Sequence, residues 1–360
     1  MTNMTQHSPT LLVMAGGTGG HIFPGLAVAD LLREQGWKVV WLGVPNSMEA
    51  TIVPQHGFEM AWVQFSGVRG KGLWRKLTLP FNLLRALWQS ARAMMRHRPD
   101  VVLGMGGYIT FPGGIMAKLF ARPLVIHEQN SIAGLSNRVL ARIATRVLSG
   151  FPDVLPAAEW CGNPVRSSIA ALESPSARYA ARAGKLNVLV VGGSLGAQAI
   201  NHAVPKALSM LPELDRPVVT HQTGKAHFEA VQNLYAKAHV QADIQPFLTD
   251  MAACYAKADV VICRAGALTV AELAAAGVAS ILIPFPAAVD DHQTHNAWFL
   301  SQRGGAVWLP QQELTAEKLA QLLLELTREK LVLMAEQAHQ LGKLDAAQRV
   351  AAVCTSLVRH

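Results

Sequence analysis

The residues in this chain with the clearest chemical potential are a glycine turn that occurs twice. Gly16-Gly17-Thr18-Gly19-Gly20-His21 follows the apolar run Leu11-Leu12-Val13-Met14, and Gly192-Gly193-Ser194-Leu195-Gly196 follows Val188-Leu189-Val190-Val191. Gly16 aligns on Gly192, Gly17 on Gly193, Thr18 on Ser194 and Gly20 on Gly196, about half a chain apart. A strand, a glycine turn and a helix present backbone N–H groups and a positive dipole end to an anion, so the chemistry expected is that of phosphate-bearing ligands. Three more strand-end loops join them. Gly104-Met105-Gly106-Gly107-Tyr108 would form a second anion-cradling turn in the first half, and His127-Glu128-Gln129-Asn130 puts polar groups at the same edge. The segment from Arg264 to Glu272 opens a helix with small residues that let a ligand approach its backbone, and Glu272 could accept hydroxyl hydrogen bonds from a ribose.

The elements that must hold these loops alternate. Short apolar strands separated by helical patterns run from Leu11 to Ser149 and restart at Lys185, which implies parallel sheets covered on both faces. In such sheets ligands bind beyond the carboxyl ends of the strands, where all these loops fall. A chain of 360 residues exceeds what one core usually supports. The division expected is an N-terminal domain over 1–163, a C-terminal domain over 164–340, and a helix in 341–360 returning to the first domain. The proline-containing segment Cys161–Ala183 reads as the linker. Neither turn is followed by the acidic residue of a dinucleotide fingerprint, and no Walker sequence is present, so a dehydrogenase and a P-loop ATPase are disfavoured. The four cysteines have no metal-ligand spacing and read as small buried hydrophobes.

Charge is divided unevenly. The net charge is +8, and residues 1–166 hold 16 Lys and Arg against 8 Asp and Glu, whereas the rest is balanced at 16 and 16. Met60 to Pro99 has no acidic residue but carries Arg69, Lys71, Arg75, Lys76, Arg85, Arg92, Arg96 and Arg98. Within it Leu77, Phe81, Leu84, Trp88, Ala91 and Met95 recur at helical spacing, with Arg85, Arg92 and Arg96 off that stripe and Leu73 and Trp74 just before it. The segment 66–98 thus reads as an apolar patch ringed by cations, suited to an anionic lipid surface. The bland alternative is a packed helix with a solvated basic face. Nucleic acid is disfavoured because no base-reading motif accompanies the charge. The start of the chain has no signal-peptide character, and no stretch is long and apolar enough to span a bilayer, so a cytoplasmic location is expected.

The strings AGGTGGHIFPGLAVAD (15–30), MEA (48–50), SGVRGKG (66–72), DVVLGMGGY (100–108), HEQN with AGLSN (127–137), GNPVR (162–166), VVGGSLGAQ (190–198) and ADVVICRAGALTVAELAAAG (258–277) run in order along nearly the whole chain. In these it resembles the bacterial peptidoglycan N-acetylglucosaminyltransferases, which are GT-B glycosyltransferases. The resemblance implies an α/β fold of two Rossmann-like, doubly wound parallel-sheet domains with an interdomain cleft, the donor held mainly by the C-terminal domain and the lipid acceptor by the N-terminal one. For UDP-N-acetylglucosamine it implies contacts from Thr18, Gly19, Gly20 and Asn130 to diphosphate and sugar, and from Arg166 and Ser194 to the diphosphate. Leu248 would lie against the uracil, Ala267, Leu268, Thr269, Val270, Ala271 and Glu272 would hold phosphate and ribose, and Gln293 would bind sugar hydroxyls. Gly106, Gly107 and Tyr108 would cradle the acceptor diphosphate.

The implied reaction inverts C1, so a base must take the proton of the muramyl 4-hydroxyl while positive charge holds the departing UDP. His21, on the first turn and replaced by Ala197 in the repeat, is the base expected. No metal or other cofactor is required, since UDP-N-acetylglucosamine is a substrate and no Asp-x-Asp pair occurs. Partners expected are the undecaprenyl-linked muramyl-pentapeptide, anionic membrane lipid and proteins of cell-wall synthesis and division, at the cytoplasmic face of the inner membrane. Alternatives are another GT-B enzyme, such as a glycolipid glycosyltransferase or a UDP-N-acetylglucosamine 2-epimerase, or a non-catalytic, membrane-docked nucleotide-sugar binder.

Overall fold

The computed structural model describes residues 8–65, 79–193 and 196–358. Ser194, the SGVRGKG string and the part of the basic stretch holding Arg69, Lys71, Leu73, Trp74, Arg75, Lys76 and Leu77 lie outside the described residues. The chain forms two units, Met1–Arg166 with Leu344–His360, and Ser167–Lys343.

The first unit is built on β1 (Thr10–Ala15), β2 (Lys38–Gly43), β3 (Glu59–Trp62), β4 (Val101–Gly106), β5 (Leu124–Glu128), β6 (Arg146–Ser149) and β7 (Glu159–Trp160). They form one sheet in the order β3-β2-β1-β4-β5-β6-β7, every pairing parallel. Helices α1 (Gly19–Glu34), α2 (Met48–Gln55), α3 (Leu79–His97), α4 (Thr110–Leu119) and α5 (Leu135–Leu140) connect the strands. Because side chains alternate along a strand, Leu11, Val13 and Ala15 enter one core with Ile22, Leu26 and Val28 of α1, while Leu12 and Met14 enter the other with Ala86 and Met94 of α3 and Met116 of α4. The order reverses at β1 and β4, which places the first glycine turn and the Gly104–Tyr108 loop side by side at the switch point of the sheet.

The second unit begins with two short helices, α6 (Ser167–Ala170) and α7 (Pro175–Ala180), where the sequence suggested a plain linker. Tertiary contacts hold α7 and the residues that follow it. The Arg178 guanidinium donates to the carbonyls of Tyr255, Ala276 and Gly277, the Tyr179 hydroxyl donates to the Asp259 carbonyl, and Arg182 pairs with the buried Asp259 carboxylate at 2.9 Å. The sheet then follows: β8 (Asn187–Val191), β9 (Val218–Gln222), β10 (Asp243–Gln245), β11 (Val260–Cys263), β12 (Ala279–Leu282) and β13 (Val307–Trp308), all parallel, in the order β10-β9-β8-β11-β12-β13. Its helices are α8 (Gln198–Met210), α9 (Phe228–Lys237), α10 (Met251–Lys257), α11 (Ala267–Ala276), α12 (His292–Ser301), α13 (Ala316–Glu325) and α14 (Arg328–Gln340).

The last helix, α15 (Ala346–Ser356), belongs to the first unit. It packs on α1, and Val350, Ala351 and Cys354 sit in the same core as Leu11, Val13 and Leu26.

Candidate active site

In the first unit the two switch-point loops touch so closely that only glycine fits. A Cβ on Gly107 would lie 2.4 Å from the Gly16 carbonyl oxygen, and one on Gly106 would lie 2.8 Å from His21 Cδ2 and 3.0 Å from its Nε2. Both glycines have left-handed backbones, φ +85° and +103°. The Gly106 backbone therefore lies close to the Nε2 side of the His21 ring, with Gln129 Oε1 near the same point. The other ring nitrogen, Nδ1, is 3.1 Å from the Gly16 carbonyl and 3.3 Å from Thr18 Oγ1. A carbonyl only accepts, so Nδ1 carries the proton and Nε2 of the neutral imidazole carries the lone pair. Thr18 is exposed, and Gly19 and Gly20 occupy the first turn of α1, whose N–H groups have no intrahelical partner.

The turn holding His21 is not an empty anion cradle. Glu49, at the start of α2 and 0% exposed, accepts the Gly17 N–H at 3.1 Å and the Val44 N–H at 3.2 Å. One amide of the turn, that of Gly17, is thus already held by a carboxylate.

The end of β5 supplies a second polar group. His127 is 0% exposed; its Nε2–H donates to the Gly162 carbonyl at 2.9 Å, and its Nδ1 accepts from Gln129 Nε2 at 2.9 Å. Burial pushes this imidazole down to about 4, so it stays neutral. It fixes the Gln129 amide, whose Oε1 is buried, has no hydrogen-bond partner among the described residues, and would lie 3.3 Å from a Cβ on Gly106. Glu128, 2% exposed, accepts the Asn130 N–H at 2.9 Å, the Gly134 N–H at 3.1 Å and Asn137 Nδ2 at 2.9 Å, and so sets where Asn130 sits. The Tyr108 phenol, half-buried, is raised above its ordinary 10 by burial first and by the Glu49 charge second. Arg166 also belongs to this unit, its guanidinium 5.6 Å from the centre of the Phe23 ring of α1.

The second unit repeats the turn with different neighbours. Gly193 and Gly196 have φ +77° and +78°, and the Gly192 N–H is held by the Gln222 carbonyl at 3.0 Å. A Cβ on Gly196 would lie 2.5 Å from His227 Cδ2. A cavity of about 720 Å³ brings Gly196 together with Arg264, Gln293, His202, His227 and Gln311. Arg264 is anchored by the carbonyls of Ile283 and Pro284 at 3.1 and 3.2 Å and by Gln311 Oε1 at 2.6 Å, while Gln293 Oε1 accepts the Phe285 N–H at 2.9 Å. Two left-handed residues, Asp290 and Asp291 (φ 55° and 51°), set the entry to α12, which carries Gln293.

Ala267, Leu268, Thr269, Val270, Ala271 and Glu272 form the first turns of α11, behind Gly266 as its side-chain-free cap. Glu272 is 5% exposed and accepts the Tyr255 hydroxyl at 3.2 Å on Oε2. Leu248, 5% exposed, has its N–H on Gln222 Oε1 at 3.0 Å and lines a separate cavity of about 390 Å³ with Thr220, Asp243 and Asp250. Of the residues named from the sequence, His21, Thr18 and Gly106–Tyr108 lie together in the first unit, Gly196, Arg264 and Gln293 line one cavity of the second and Leu248 another, while Ala267–Glu272 open α11 and Asn130 and Arg166 stand elsewhere in the first unit. Glu49, Glu128 and Gln129 went unassigned in the sequence, although each stands in a string that carried the resemblance.

On α3, Phe81, Leu84, Trp88 and Met95 are exposed at 77%, 64%, 62% and 56%, and Ala86, Ser90, Ala93 and Met94 form the buried face. The apolar stripe is therefore not the packed one. Arg92 lies 5.9 Å from the centre of the Trp88 ring, and Arg85 and Arg96 are exposed beside it. Among the described residues no helix is long and apolar enough to cross a membrane.

Comparison with known proteins identifies the family and the fold. Residues 11–149 match the glycosyltransferase family 28 N-terminal domain and residues 187–350 its C-terminal domain. A Cupriavidus pinatubonensis protein named UDP-N-acetylglucosamine--N-acetylmuramyl-(pentapeptide) pyrophosphoryl-undecaprenol N-acetylglucosamine transferase is 62% identical over 356 residues, covering 99% of this chain and 100% of its own. One of the same name from Dechloromonas aromatica is 59% identical over 98% of this chain and 100% of its own. The crystal structure of Acinetobacter baumannii MurG superposes with a TM-score of 0.85 at 42% identity, covering 97% of this chain and 99% of that one.

Proposed function

This chain belongs to glycosyltransferase family 28, and from that membership we propose that it transfers N-acetylglucosamine from UDP-N-acetylglucosamine to the 4-hydroxyl of the muramyl sugar of undecaprenyl-pyrophosphoryl-N-acetylmuramyl-pentapeptide. The observation that carries the reading is end-to-end likeness, 62% over 99% of the chain, to relatives named for this transfer. The product is the disaccharide lipid used in peptidoglycan synthesis.

The chemistry is one displacement. The muramyl 4-oxygen attacks C1 of the sugar, the bond from C1 to the UDP oxygen breaks, and C1 inverts. The hydroxyl proton passes to His21 Nε2, the nitrogen left basic by the Nδ1 contact with the Gly16 carbonyl. The electron pair leaves with UDP, whose diphosphate is held by the second glycine turn with Ser194, and by Arg166. Glu272 and the opening turns of α11 take the ribose and phosphate, Leu248 the uracil, and Gln293 the sugar hydroxyls. Gly106, Gly107 and Tyr108 receive the acceptor. The proposed step draws its charge stabilisation from amides and guanidinium. The exposed stripe of α3 with its arginines supports peripheral docking on anionic lipid at the cytoplasmic face of the inner membrane, where the lipid-linked acceptor is presented.

The test is radiolabelled UDP-N-acetylglucosamine with lipid-linked muramyl-pentapeptide, with and without EDTA. Acceptor-dependent, EDTA-insensitive labelling of the lipid is expected. Conversion of the nucleotide sugar without acceptor would make the protein an epimerase, and binding without turnover would make it a scaffold.

A further inference from the structure

We propose that Glu49 is a positioning residue for His21: its buried carboxylate fixes the Gly16-Gly17 turn so that the Gly16 carbonyl holds the proton on His21 Nδ1. The proposal deepens the reading of His21 as the base.

Three observations converge on it. Glu49 reaches the turn from α2, 32 residues away in sequence, with both oxygens engaged, Oε2 by the Gly17 N–H and Oε1 by the Val44 N–H. A Cβ on Gly16 would lie 2.6 Å from Oε1, so the carboxylate occupies the space that the missing side chain leaves. The Gly16 carbonyl, in the peptide whose N–H Glu49 holds, meets His21 Nδ1 at 3.1 Å and is packed from the other side by Gly107.

The repeat differs here. In the second unit the corresponding connection, leaving β9 as α2's leaves β2, puts His227 against Gly196, the counterpart of Gly20, and Ala197 stands where His21 would be. Among the described residues, Glu49 and His21 thus accompany the same copy of the turn. The Gly17 N–H, already held by Glu49, is not available to a phosphate.

Both hydrogen-bond partners of Glu49 are donors, which only an acceptor pair satisfies. In Glu49→Gln one of them faces an NH₂ group. The Gly16-Gly17 peptide then turns away, and the imidazole is free to place its proton on Nε2, where it cannot act as base.

The experiment uses the full chain with ¹⁵N-labelled histidine. The Nδ1 and Nε2 shifts of His21, assigned by their loss in His21→Ala, are read in the parent protein, Glu49→Gln and Glu49→Asp at a temperature below every melting point. The parent is expected as the Nδ1–H tautomer and Glu49→Gln as a mixture, with kcat down at least about 10-fold and the KM for UDP-N-acetylglucosamine within about twofold. Glu49→Asp, still acceptor-only, should keep the parent tautomer and recover part of the turnover. An unchanged tautomer in Glu49→Gln, or a parent protein already in the Nε2–H form, overturns the proposal. Should His21→Ala retain full turnover, the base assignment fails, while the tautomer comparison still decides what Glu49 does.

Discussion

In the proposed mechanism His21 acts as base from its Nδ1–H tautomer, the one that the contact with the Gly16 carbonyl favours. His21→Ala should therefore lower kcat by roughly 10²- to 10⁴-fold while leaving UDP affinity, measured by calorimetry, unchanged. Turnover within a few-fold of the parent would remove the assignment. The buried histidines set a different dependence on pH. His127 in the first unit and His221 in the second, the latter bonded to Tyr235 and Asn201, are both held at about 4 by burial against an ordinary 6.5. Between those values the unfolded chain binds protons that the folded chain refuses. Stability is then complete above about pH 6.5 and falls as pH drops towards 4, by about 3 kcal/mol for each histidine. Melting temperatures recorded from pH 7.5 to 4.5 should fall throughout the lower half of that range, and a flat profile would refute the neutral, buried state of both.

At the scale of elements, α3 is the clearest departure from ordinary packing, because four of its large apolar residues, Phe81, Leu84, Trp88 and Met95, are exposed. Replacing Phe81, Leu84 and Trp88 with Ser should sharply reduce co-sedimentation with vesicles rich in phosphatidylglycerol and leave the melting temperature nearly unchanged, since these side chains support no core. Replacing Arg85, Arg92 and Arg96 with Gln should remove most of the salt sensitivity of that binding. Vesicle binding indifferent to both sets would refute the docking surface. The same scale shows what the sequence disclosed. The strands that position the site were legible because parallel strands covered on both faces are continuous apolar runs, as in Leu11–Met14 and Val188–Val191. Helix α7 was not, because it is ordered by Arg178 and Tyr179 reaching carbonyls some 80 to 100 residues away rather than by a periodic apolar face, and four-residue α6 is too short to show a period. Two-residue β13 carries too little pattern to be seen. The helical stripe of α3 was visible, but periodicity alone does not say which face is buried. Glu49 was visible as a residue and invisible as a partner of Gly17, since nothing in local spacing joins them.

At the scale of the whole molecule, the first unit takes its strands from one end of the chain and its closing helix from the other. Deleting Leu344–His360 strips Val350, Ala351 and Cys354 from the core beside α1. Hydrogen exchange should then show protection lost in β1 and α1 and retained in β8 and β11. Equal loss in both sheets would show that α15 supports more than its own unit.

That shared ownership of the two ends bears on how the protein is made. Synthesis is vectorial, and domains usually fold as they leave the ribosome. Here the N-terminal unit emerges first but lacks its last packing layer until residues 167–343 have been translated and α15 follows them out. At about 5–20 residues per second, its α1 face waits exposed for on the order of ten seconds or more. A ribosome stalled anywhere in the second unit should hold a nascent chain whose first sheet stays protease-sensitive, and release of the last residues should be the step that closes it.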